Sequence, residues 1–281
     1  CGLFGMKPSA SRLYSRKGPK PPVDISISNC VTLTVRDSEA LFRVAEKATD
    51  YPALEAASPL NRKLRIGFAP TATTGTAVAP ETTTALENTA QLCRDLGHEV
   101  FDFTPDIDGK AFEDAFLMYW SAGAAAFAQS ASDFSGKPIG PDILEPWTLS
   151  LAQKFESRKD EMPALIGNLI AFQAQYDSWF ESMDILLTPV TGSPAVPIGE
   201  QSITGPFEEI LERVTTFAAF TAPMNVSGAP SMSVPLGQSD GGLPIGSMFS
   251  GRTGDDALLY ALAYQLEEAQ PWIDRLPPLH T

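Results

Sequence analysis

Histidine is nearly missing from this chain of 281 residues: only His98 and His280 carry an imidazole. A Ser-His-Asp relay needs that ring beside a serine. His98 falls at a helix-to-strand turn and His280 is the penultimate residue, so both read as solvated loop residues rather than bases. Cysteine is scarce as well. Cys1, Cys30 and Cys93 are far apart, with no Cys-x-x-Cys pair for metal or redox chemistry, and read as structural thiols. No uncharged apolar run reaches the roughly 18 residues that a membrane helix requires. The N-terminus lacks the charged-then-apolar order of a signal peptide. A cytoplasmic protein without membrane association is expected. Positive charge is also short, with 20 Lys and Arg against 34 Asp and Glu, a formal net charge of −14. Such a surface repels phosphate backbones. The one basic stretch, Arg12 to Lys20, is laced with Pro and Gly and reads as a solvated loop, so nucleic acid is not an expected partner. The Gly-x-Ser-x-Gly, His-Glu-x-x-His, phosphate-loop and dinucleotide fingerprints are all absent, and no metal or organic cofactor is expected.

What is present suits a globular fold of one large or two small domains, 43% hydrophobic and 19% charged. Asp37 is a candidate N-cap for a helix with Ala40, Leu41, Val44, Ala45 and Ala48 at helical spacing. Leu64, Ile66 and Phe68 alternate with Lys63 and Arg65 as in a half-buried strand. Pro80 and Glu81 then open a helix striped by Leu86, Ala90 and Cys93, with Gly97 suited to its left-handed end, and Val100 to Phe103 reads as the next strand. Strand, helix, strand implies a parallel pair with a crossover, hence an α/β sheet covered by helices. Phe112 to Gln129, Trp147 to Phe155 and Ala164 to Phe180 read as an aromatic-rich helical insert. Asp184 to Val190 is a buried strand, Ser231 to Leu236 and Leu243 to Phe249 flank a Gly-rich hairpin turn, and Leu258, Leu259, Leu262 and Leu266 stripe a closing helix from about Asp255 to Ala269. Glu208-Glu209 and Asp255-Asp256 read as the acidic first turns of helices.

Several blocks point further. Cys1-Gly2-Leu3-Phe4-Gly5-Met6-Lys7-Pro8 resembles the end of the serine-glycine-rich motif of the amidase signature family. Thr34-Val35-Arg36-Asp37 resembles that family's Ser-Val-Arg-Asp, and Asp184 to Pro189 its Asp-x-Leu-Leu-x-Pro. Thr221 to Pro235 resembles its Thr-x-Pro-x-Asn-x-x-Gly-x-Pro block, and Gly242 to Gly246 its Gly-Leu-Pro-x-Gly. The stretch Gln265 to Trp272 is most similar to bacterial amidases of the aminohexanoate cyclic dimer hydrolase and aryl acylamidase type. Where relatives commonly carry Gln shortly after the last block, this chain has Ser247-Met248-Phe249.

The resemblance implies hydrolysis of a linear carboxamide by a nucleophilic serine, a second serine on a cis peptide and a lysine proton carrier, all expected upstream of Cys1. No catalytic residue is therefore assigned within the chain, and Lys7 is not the proton carrier. The chain is expected to be a single incomplete domain: 1–36 the motif's end and a loop, 37–110 an α/β segment, 111–182 the helical insert, and 183–281 the terminal sheet, hairpin and helix. Its expected partners are a small amide, the missing upstream segment of the same enzyme and a second copy in a homodimer. Phe116, Tyr119, Trp120 and Trp147 are candidates for an apolar substrate pocket, with the small residues Ser121 to Ala126 leaving room beside them. Asn225 is a further candidate contact, its alternative role being, with Gly228, to shape a tight turn. Other readings stay open: an aminoacyl-tRNA amidotransferase A subunit, a non-catalytic binding or regulatory fragment, and a hydrolase using Cys1 as an N-terminal nucleophile.

Overall fold

The computed structural model describes residues 1–14, 21–49, 51–56 and 60–277; His280 and the basic residues from 15 to 20 lie outside this set. Among the described residues a seven-stranded mixed sheet runs β2 (Val31–Thr32), β1 (Phe4–Lys7), β6 (Ser231–Gln238), β7 (Pro244–Ser250), β5 (Ile185–Pro189), β3 (Arg65–Phe68) and β4 (Glu99–Asp102). β4, β3 and β5 are parallel, with Ile66 paired to both Val100 and Ile185. The remaining neighbours are antiparallel.

The sheet divides two apolar cores, and β5 shows how. Its residues are buried on both faces, and side chains alternate along a strand. Ile185 and Leu187 join one core with α1 (Val35–Ala45), α2 (Pro80–Asp95) and α8 (Asp256–Ala269), through Phe42, Leu86, Cys93, Leu259 and Leu266. Leu186 joins the other with α3 (Gly109–Ser135), α5 (Met162–Trp179) and α7 (Ala222–Ser227), through Phe112, Phe172, Tyr176 and Met224. α4 (Pro146–Arg158) lies outside α3, and α6 (Phe207–Phe217) precedes α7. Gly97, at φ 90°, turns the chain from α2 into β4 as its position suggests.

Four expectations are corrected by burial and hydrogen bonding. Thr34, not Asp37, caps α1, its side chain accepting the Asp37 N–H. The helix buries Val35, Ser38, Glu39 and Phe42 and leaves Leu41 and Val44 exposed, because Ser38 and Glu39 find Tyr260 and Tyr264 on α8. His98 is buried, its Nδ1 accepting the Leu64 N–H at 3.2 Å, so its Nε2–H faces Gln265 Oε1 at 2.9 Å in the neutral ring. Arg12 and Asp256 are buried too, in an ion pair of 2.9 Å. The acidic first turns expected at Glu208-Glu209 and at Asp255-Asp256 do open α6 and α8, with Asp256 in the first turn of α8.

Two titrating groups, half-buried Lys7 and buried Cys93, oppose each other in alkali. Burial outweighs the attraction of Asp256 and Asp24 and pulls the Lys7 amine down to about 8 from 10.5. Burial pushes the Cys93 thiol up to about 12 from 9.0. Below pH 8 Lys7 is charged in both states and its burial cost is present in full. Above pH 8 the unfolded chain holds more protons at this site, so stability rises by at most about 1.4 kcal/mol per pH unit. From pH 9 the unfolded chain loses the thiol proton that the folded chain keeps, and stability falls. Urea unfolding should therefore show a rise between pH 8 and 9 that disappears in Lys7→Met and extends to higher pH in Cys93→Ala. Identical profiles for the parent and Lys7→Met would show that the amine titrates normally.

Candidate functional site

Parallel strands β3 and β5 end side by side at Phe68 and Pro189, and ligands of open α/β sheets bind beyond such carboxyl ends. A small cavity of about 20 Å³ lies there, bounded by Ala69, Thr71, Leu186, Thr188 and Trp179. It adjoins a larger groove, about 60 Å³, through Thr73, Ala219 and Pro223, which border both. One wall of the groove is α3, the other is α6 and the start of α7, and the loop after β3 closes one side with Thr73 and Thr74.

Gly109 sets the width at that loop. A Cβ there would stand 2.0 Å from the Thr73 carbonyl oxygen, so only glycine lets the start of α3 approach so closely. Asp108 caps the same helix, its carboxylate accepting the Ala111 N–H at 3.0 Å.

The aromatic candidates divide. Phe116 and Trp120, one helical turn apart, both line the groove. Trp147 stands behind Trp120, ring centroids 6.0 Å apart, and packs on Phe207 at 5.3 Å, tying α4 to the start of α6. Tyr119 points elsewhere: its hydroxyl donates to the Val23 carbonyl at 2.7 Å and accepts the Val23 N–H at 3.3 Å, pinning the segment before β2. Asn225 lies inside α7 rather than in a tight turn; it gives its carbonyl to the Gly228 N–H, and Gly228, at φ 73°, ends the helix. The small residues after Trp120 serve α4, with Ala122, Ala125 and Ala126 lining the groove between α3 and α4.

Glu113, which sequence reasoning passed over, lines the same groove as Phe116, Leu117 and Trp120. The spacing i, i+3, i+4, i+7 was the available signal. Burial raises its carboxyl above the ordinary carboxylate range. Lys7 stands apart from these residues on β1, donating to the Pro8 carbonyl at 3.1 Å, and Cys1 is exposed. Among the described residues no three His, Cys, Asp or Glu side chains could hold a metal ion together, and no helix is long and apolar enough to cross a membrane.

A mixed sheet between two helical layers, with an apolar groove at the carboxyl ends of its parallel strands, defines an α/β fold. The Amidase family pattern matches residues 1–260, and the chain belongs to that family. It is 34% identical over 276 residues to "Putative amidase AmiC" of Mycobacterium bovis, covering 96% of this chain and 58% of that protein. It is 27% identical over 308 residues to the 6-aminohexanoate-cyclic-dimer hydrolase of Pseudomonas sp. strain NK87, covering 99% of this chain and 61% of the relative. The solved structure of 6-aminohexanoate cyclic dimer hydrolase with substrate superposes with a TM-score of 0.81 at 26% identity, over 99% of this chain and 62% of the other. A bacterial aryl acylamidase shares the fold, with a TM-score of 0.77 at 21% identity over 99% of this chain and 61% of the other. The chain thus spans about three-fifths of the length of these relatives.

Proposed function

We propose that this chain is the sheet-forming and substrate-binding part of an enzyme that hydrolyses a linear carboxamide in the cytoplasm, its serine nucleophile, second serine and lysine standing upstream of Cys1. The observation that carries the reading is the apolar groove beyond β3 and β5, in a chain whose family pattern runs from residue 1 to 260. In this reading residues 111–182 form the substrate layer, and α3 presents Phe116 and Trp120 to the acyl or amine portion of the amide. Tyr119 holds the Val23 segment, Trp147 backs Trp120, and Asn225 belongs to the α7 wall.

The chemistry this asks of the chain is positional. A groove that excludes water and fixes the apolar part of an amide converts binding into orientation of the carbonyl. Changing either groove aromatic should therefore alter kcat/KM unequally between substrates. In the enzyme carrying the upstream segment, Phe116→Ala and Trp120→Ala are expected to reorder a series of amides of increasing chain length. Tyr119→Phe, which removes only the link to Val23, should lower the melting temperature and leave the ranking alone. A fixed ranking with collapsed melts in Phe116→Ala and Trp120→Ala would assign both aromatics to the core.

A further inference from the structure

One carboxylate stands in an otherwise apolar groove. Glu113 shares the lining with Phe116, Leu117, Trp120, Val214 and Ala218, and threonine hydroxyls are its only polar company there. Among the described residues it has no ion-pair or hydrogen-bond partner. The cations on the flanking elements lie toward other groups, though Arg213 keeps a buried Nε without a hydrogen-bond partner and Lys154 on α4 lies near Asp114. Arg158 is taken by Asp114 and Glu161, Arg213 donates to the Ser202 carbonyl at 3.0 Å, and Lys110 is exposed. Accordingly, desolvation is the single cause acting on the Glu113 carboxyl, with no positive charge to offset it.

Half-burying a carboxylate without a partner costs free energy that no contact among the described residues offsets. Water or a hydroxyl group in the groove offsets part of it, and an arriving ammonium offsets more, because it adds charge attraction to the hydrogen bond. Phe116 and Trp120, one and two turns further along α3, line the same groove, and aromatic rings attract a cation through their quadrupole. The groove is narrow, about 60 Å³, and suits a slender body rather than a broad ring system. From this arrangement we propose that the groove selects a positively charged amine carried on an aliphatic chain, with Glu113 as the residue that reads the charge.

The inference rests on the groove being the substrate site, and deepens that reading by naming the substrate class: an amide whose acyl or amine portion ends in a primary ammonium. Glu113 acts here as a specificity-determining residue and takes no part in bond breaking. Neither the reaction nor its proton balance changes.

The test is a binding titration of n-pentylamine against 1-pentanol at neutral pH, followed by NMR at the Trp120 indole, with the chain and its Glu113→Gln variant. The amine is expected to bind the parent at least ~10-fold more tightly than the alcohol, about 1.4 kcal/mol. That preference should vanish in Glu113→Gln, with alcohol binding unchanged. The amine-to-alcohol ratio in the parent stands as a result even if the variant fails to fold. Equal affinity for both probes in the parent, or an amine preference that survives Glu113→Gln, would overturn the proposal while leaving an apolar substrate groove intact. Failure of both probes to perturb Trp120 would overturn the proposal and the groove reading together.

Discussion

Arg12→Met is expected to lower the unfolding free energy by about 3–5 kcal/mol, the cost of stripping a buried ion pair of one partner. The guanidinium is only 2% exposed and is enclosed on every side. Its Nε donates to Glu46 at 2.9 Å, one Nη1 contact goes to Asp256 at 2.9 Å and another to the Gly254 carbonyl at 3.3 Å, and Nη2 donates to the Pro52 carbonyl at 2.7 Å. Phe42 and Tyr51 stand 5.4 and 5.7 Å from its centre. Asp256 in turn accepts from the Ser9 N–H at 2.9 Å and the Ser9 hydroxyl at 2.6 Å. The network ties the chain after β1 to the end of α1 and the start of α8, so its loss loosens the sheet where β1 meets β6. Urea unfolding of Arg12→Met measures the cost. The double variant with Asp256→Asn should lose less than the sum of the two single changes, since it strands only Glu46, whereas Arg12→Met strands both carboxylates. A loss below ~1 kcal/mol in Arg12→Met would mean that the pair behaves as an exposed one.

Such a network shows why parts of this fold were legible in the sequence and others were not. β3, β5, α2 and α8 announce themselves locally, through alternation at Leu64, Ile66 and Phe68, a continuous apolar run at Ile185 to Leu187, and helical stripes ending at Cys93 and Leu266. α1 misleads because its apolar residues Leu41 and Val44 face solvent while the polar Ser38 and Glu39 are buried. Ser38 and Glu39 turn inward only because Tyr260 and Tyr264 meet them from 222 and 225 positions away. His98, Arg12 and Asp256 are cases of the same kind: each looks solvated until its distant partner is known. At the site, the aromatic helix was visible but its orientation was not. Tyr119 is adjacent to Trp120 in sequence, yet about a quarter turn separates successive residues of a helix, so the two face different neighbours. Glu113 escaped notice because a lone carboxylate on a helix is ordinarily solvated, and only the packing of α6 and α7 against α3 places it in an apolar groove.

The largest effect expected concerns the reaction itself. If the serine nucleophile, its partner serine and the lysine stand upstream of Cys1, the chain of 281 residues supplies a groove and a sheet but no nucleophile. Loss of a nucleophile alone costs on the order of 10⁶ in rate. The measurement that bears most directly on this account is hydrolysis of simple aliphatic amides and anilides by the purified chain, with and without the family's signature segment joined ahead of Cys1. The account predicts turnover only in the joined protein, and its loss when the signature serine is changed to alanine. Turnover by the chain alone, abolished by Cys1→Ser, would contradict it and place the nucleophile at Cys1.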